Sequence, residues 1–164
     1  MNHRASTIAA ILLATACLPA AAAAQATPET DVQAEVRAAW DAYIEAFSAG
    51  RTGVIAEEVY AAPSFQLGPA GAAVRPGAAE TRAAFDAIHR QLAPERYARS
   101  ETDRAEICVI NPATALLSAH FTRYRTDGSV LSRGASSYLF ARVDGDWRIL
   151  AIMANPAGKL IACD

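Results

Sequence analysis

The sequence predicts an α+β fold, with three helices packed on a mixed or antiparallel sheet in the order α-α-β-α-β-β-β-β. Three observations carry this expectation. Apolar residues recur at helical spacing as far as Leu92, and beyond it they follow extended segments. Those segments are divided by Asn111-Pro112, Asp127-Gly128 and Asp144-Gly145. Asp-Gly is a strong hairpin signal, because a type I′ turn needs positive φ at both central residues.

Each element has its own justification. Val32, Val36, Trp40, Tyr43 and Phe47 form one stripe of a first helix, ended by Gly50. Thr52 is a candidate N-cap for a short second helix whose apolar face is Val54, Ile55 and Val59, with Pro63 as its stop. Ser64 to Leu67 read as one short strand, and the Gly- and Pro-rich run from Gly68 to Gly77 reads as an irregular loop. A third helix carries Thr81, Phe85, Ile88 and Leu92 and ends before Pro94. Four strands then run to Asn155 as a meander.

The Asp-Gly turns set the register. With Thr126 opposite Ser129 and Val143 opposite Asp146, one face collects Leu117, Phe121, Tyr138, Phe140, Trp147, Ile149 and Met153. The other collects Leu116, His120, Tyr124, Leu131, Leu139, Leu150 and Ile152. The aromatic face is expected to meet the helices. The second is apolar enough to need cover, which points to a homodimer through the sheet. Carried through the Asn111-Pro112 turn, the same parity places Arg104, Glu106 and Cys108 on the helix side.

The first 26 residues read as a cleaved secretory signal. His3-Arg4 is a basic start, Ile8 to Ala14 a short apolar run, and Ala24-Gln25-Ala26 an A-x-A site. The mature chain is then a single domain over 27–164, periplasmic or secreted, with no membrane span. An alternative reading makes Ala14-Thr15-Ala16-Cys17 a lipoprotein box. Of the remaining cysteines, Cys108 and Cys163 form the one intramolecular pair available in an oxidising compartment. The alternative is a buried Cys108 beside a free tail thiol. A net charge of −2 argues against a nucleic-acid footprint, and the 40 alanines inflate the apparent apolar content. No spacing supports a metal site, and no Walker loop, G-x-S-x-G or dinucleotide fingerprint is present, so no cofactor is expected.

Trp40-Asp-Ala-Tyr-Ile-Glu-Ala-Phe-Ser-Ala-Gly50, Arg123-Tyr-Arg-Thr-Asp-Gly128 and Gly145-Asp-Trp-Arg-Ile149 resemble the NTF2-like superfamily, which includes SnoaL-like cyclases and ketosteroid isomerases. The resemblance spans about Val32 to Asn155. It implies a curved sheet wrapped around a long helix, a cone with a pocket and, usually, a dimer. Tyr43 matches the oxyanion-stabilising tyrosine of the isomerases. The base position, after the first strand, holds Gln66-Leu67-Gly68-Pro69, and the second donor's position falls near Tyr138. That constellation therefore lacks its carboxylate.

The pocket is expected to be lined by Trp40, Tyr43, Phe47, Phe121, Tyr138, Met153 and Asn155, with Ser136 on the same face. Such a lining is mostly aromatic and suits a flat, apolar small molecule. The leading functional reading is an exported small-molecule-binding protein without a complete catalytic set. The rival is a cofactor-independent isomerase, cyclase or lyase with Glu106 or His89 as base and Tyr43 as donor. A third reading is an accessory dimerisation domain. Against catalysis stand the structural readings of the same residues: Glu106 as an ion-pair partner of Arg104 at the sheet rim, His89 at the half-buried edge of its helix, and His120 as a dimer contact.

Overall fold

The computed structural model describes residues 28–163, so the expected signal segment and Cys17 lie outside it. The first helix, α1 (Pro28–Ser48), carries Glu29 and Asp31 in its opening turn, where carboxylates complement the helix dipole. Its stripe of Val32, Val36, Trp40, Tyr43 and Phe47 is buried. Next comes α2 (Thr52–Val54), continuing into a π-helical turn (Ile55–Val59). Thr52 lies inside the helix rather than at its cap, and its hydroxyl donates to Asp86 Oδ1 at 2.6 Å.

Strand β1 (Tyr60–Gly68) is followed by β2 (Gly71–Arg75), helix α3 (Ala78–Leu92) and a 3-10 turn (Ala93–Glu95). The meander is β3 (Tyr97–Asn111), β4 (Thr114–Arg125), β5 (Val130–Val143) and β6 (Asp146–Asn155). Together the strands form one sheet in the order β2-β1-β6-β5-β4-β3, with β1 parallel to β6 and every other pair antiparallel. Strand β2 occupies what the sequence reads as loop. It lies at the sheet edge with only Arg75 buried, so no burial period marks it.

The register of the meander follows the turns and then departs from them at bulges. Asp144 and Gly145 both have positive φ (53° and 95°), and Val143 lies opposite Asp146. At the other end of β5 the turn is longer than two residues, with Tyr124 opposite Val130. A one-residue shift then restores the expected alignment from Arg123–Ser132 through Thr114–Ala141. Leu117, Phe121, Tyr138, Phe140, Trp147 and Ile149 accordingly share one face.

Two bulges reverse the parity elsewhere. In β6 the register slips between Ile149 and Ala151, so Ile152 lies opposite Tyr138 on the inner face and Met153 opposite Ser137 on the outer. Asn155 is likewise carried outward and donates to Ser137 Oγ at 2.7 Å. In β3 the turn pairs Asn111 with Thr114 as the spacing implies, but a shift at Ile110 puts Ile107 opposite Leu117 and Glu106 opposite Ser118. Arg104, Glu106 and Cys108 therefore face outward, while Ala105, Ile107 and Val109 pack on the core. One extra residue turns every following side chain over.

Helix and sheet are tied by more than apolar contact. The fully buried Trp40 donates from Nε1 to Thr102 Oγ1 at 2.9 Å, joining α1 to β3. The C-terminal tail returns across the outer face. Ile161 N donates to Ser118 Oγ at 3.0 Å, and Cys163 is bonded to Cys108, with Cα atoms 5.6 Å apart. Ser118 and Ser137 are fully buried there and hydrogen-bonded to each other at 3.0 Å.

Candidate functional site

Between α1, α3 and the inner face of the sheet lies a cavity of about 100 Å³. Its wall is built from Tyr43 and Phe47 of α1, Tyr60 and Gln66 of β1, Arg75 of β2, Phe85 and Ile88 of α3, Phe121 and Arg123 of β4, Ser136 and Tyr138 of β5 and Ile152 of β6. Helical spacing of four brings Tyr43 and Phe47 to one side, and strand alternation brings Phe121 and Arg123 to the other.

The rings meet at angles. Tyr43 stands edge-on to Tyr60 (5.9 Å between centroids) and Phe85 (6.2 Å), and it tilts against Tyr138 at 5.9 Å. Trp40 packs behind this wall, 4.7 Å from Tyr138, and is not part of the lining. Gly134, opposite Phe121, admits that ring: a Cβ at this position would come within 2.5 Å of Phe121 Cζ.

The phenols of Tyr43, Tyr60 and Tyr138 all titrate above the ordinary tyrosine range, chiefly because burial disfavours the phenolate. At neutral pH they are hydrogen-bond donors and not bases. The Tyr43 and Tyr60 hydroxyls interact with each other, which raises the Tyr43 pKa further and offsets part of the rise at Tyr60. Arg75 donates to the Gln66 side-chain oxygen, so this amide is already engaged. Arg75 Nη1 and Arg123 Nε are buried without partners. The guanidinium carbon of Arg123 lies 5.4 Å from the Phe47 centroid and 5.3 Å from that of Phe121, and Arg75 lies 5.7 Å from Phe85.

The remaining candidates fall outside the wall. Glu106 is on the outer face, where Arg104 donates to its Oε1 at 2.7 and 2.9 Å, so it offers no base to the cavity. His89 packs beside Phe47 (4.9 Å) and Tyr97 (6.1 Å), with Nε2 buried and unpartnered. Its pKa is lowered first by burial and then by the Arg123 charge, against an opposing pull from Asp86. Met153 and Asn155 are excluded by the β6 bulge, and Ile152 takes the inner place.

The expectation of few polar groups at depth is corrected by Arg75 and Arg123. Arg123 was legible, because the alternation that turns Leu117 and Phe121 inward continues to it. Gln66 was legible within the strand expected over 64–67, whereas Arg75 and Tyr60 were hidden where the strands run beyond their apolar pattern. A larger, more open groove of about 570 Å³ runs between α1, α2 and the β5–β6 end. Four of its five charged groups are paired, Arg51 with Glu45 at 2.6 Å and Arg148 with Asp146 at 3.9 Å, and both of its arginines have a carboxylate. The smaller cavity is the one with unmet donors.

Comparison with known proteins agrees with this architecture. A crystal structure of an NTF2-like protein with a cystatin-like fold from Novosphingobium aromaticivorans superposes with a TM-score of 0.61 at 19% identity, over 75% of this chain and 80% of that one. An NTF-2 like protein of unknown function from Shewanella oneidensis gives 0.60 at 15% identity, over 76% and 98%. A nuclear transport factor 2 (NTF2-like) superfamily protein from Salmonella enterica gives 0.58 at 16% identity, over 80% and 94%. No curated protein matches the sequence. The family model described as NTF2-like protein (DUF6841) matches residues 34–157, and the chain belongs to that NTF2-like family.

Proposed function

We propose that this is an exported small-molecule-binding protein whose ligand occupies the cavity between α1, α3 and the inner sheet face. The observation that carries the reading is that two arginines without an ion-pair partner among the described residues, Arg75 and Arg123, line one enclosed space together with aromatic side chains. A pocket filled by its own side chains would leave no such surplus. Export rests on the A-x-A signal, and an intact mass beginning at Thr27 is expected for the mature protein. Protein purified under native conditions should release a small molecule detectable by mass spectrometry. Ser136→Leu, which fills the cavity, should fail to retain it. Equal retention by both proteins would place the ligand elsewhere.

The catalytic alternative finds no base at the cavity, since Glu106 faces away and His89 packs against Phe47 outside the wall. Pairing of two copies through the outer face remains part of the proposal. His120, Leu131, Leu139 and Leu150 stay half-buried there beside the tail, and His120 Nε2 lacks a partner. Light scattering at twice the monomer mass, reduced to the monomer by Leu150→Glu, supports that arrangement, and a monodisperse monomer contradicts it.

A further inference from the structure

The two arginines at the cavity carry charges that the protein does not balance. Arg75 is only 9% exposed and Arg123 is half-buried. A guanidinium stays protonated in proteins, so neither can shed its charge as a buried lysine can. Among the described residues, no carboxylate lies within ion-pair distance of either. Arg75 has a neutral amide for a partner, and its Nη1 has nothing. Arg123 has the faces of Phe47 and Phe121, and its Nε has nothing. Ring faces attract cations, but they supply no hydrogen-bond acceptor and no counter-charge. For the buried Arg75 a charge left in this state is unfavourable unless something anionic joins it, and the half-buried Arg123 on the same wall adds a second positive charge.

The remaining wall says what kind of anion fits. Phe47, Phe85, Phe121, Ile88 and Ile152 line the space with hydrocarbon, and Tyr60 adds a protonated phenol. A planar carboxylate matches the fork of a guanidinium, and a short hydrocarbon tail matches the apolar wall. Inorganic phosphate would satisfy the arginines and leave the rings uncovered. Size sets a limit as well. At about 100 Å³ the cavity is smaller than the ~150 Å³ engineered void that accepts benzene.

Building on the small-molecule reading, we propose that the ligand is a short-chain carboxylate of about two to four carbons. Its head is held by the guanidinium groups of Arg75 and Arg123, and its tail lies against Phe47, Phe85 and Phe121.

Calorimetric titration of the purified protein at pH 7.5 with sodium butyrate, butyramide and inorganic phosphate tests this. Butyrate should bind at least tenfold more tightly than butyramide and more tightly than phosphate. Arg75→Gln and Arg123→Gln should each weaken butyrate on the order of 10- to 100-fold, the loss expected for a charge-assisted hydrogen bond. The wild-type comparison of butyrate with butyramide stands even if a variant fails to fold. Butyramide binding as tightly as butyrate would overturn the carboxylate and leave the cavity as a binding site. Phosphate binding more tightly than butyrate would overturn it in favour of an inorganic anion. No butyrate binding by a protein that still retains a natural small molecule would overturn the carboxylate alone. No binding of any probe and no retained molecule would overturn both readings.

Discussion

Arg123 stands two positions beyond Phe121 on β4, and its charge reaches three neighbours in different ways. It draws the Tyr43 and Tyr138 hydroxyls slightly toward ionisation, against the larger effect of burial, and it opposes protonation of His89. For His89, burial comes first and Arg123 second, and both hold the folded-state pKa below the ordinary 6.5. The unfolded chain therefore takes up this proton more readily than the native one. The resulting stability is present above about pH 6.5 and is lost as pH falls from there through the folded-state pKa. Melting temperature should decline on acidification across that window, and His89→Gln, which does not titrate, should decline less. An identical acid slope in the two proteins would show that His89 is not the group responsible. No sequence pattern announces this effect, because Arg123 and His89 lie on elements brought together only by the fold.

At the scale of elements, periodicity located the helices and turn chemistry located the hairpins. Five of the six buried α1 positions follow from the three-and-four spacing that runs from Val32 to Phe47. The alignment of β4 with β5 follows from a turn at Asp127-Gly128, although the turn itself is longer than two residues and a compensating bulge restores the pairing. What escaped were single extra residues. The shift at Ile110 moved Glu106 from the cavity to a rim ion pair, and the slip after Ile149 exchanged Met153 for Ile152. Bulges leave no compositional mark, since the extra residue is chemically like its neighbours. Strand β2 escaped for a different reason: four of its five residues are exposed, so neither face shows an apolar alternation.

Over the whole molecule, the inner face of the sheet holds the cavity and the outer face holds the returning tail. The Cys108–Cys163 bond spans 55 positions. Closing a loop of that length in the unfolded chain is worth about 4 kcal/mol on the chain-entropy estimate. Reduction, or Cys163→Ser, should lower the urea midpoint correspondingly, and an unchanged midpoint would show that the bond does not constrain the unfolded chain as this predicts. The tail lies on the face opposite the cavity, so this loss of stability should leave ligand binding intact in the protein that remains folded. Whether the ligand sits in the cone or in the larger groove is decided by chemical-shift mapping with butyrate. Binding in the cone should concentrate the perturbations on Tyr43, Tyr60, Tyr138 and the Arg75 and Arg123 side chains. Perturbations centred on Arg51, Trp147 and Arg148 would contradict it.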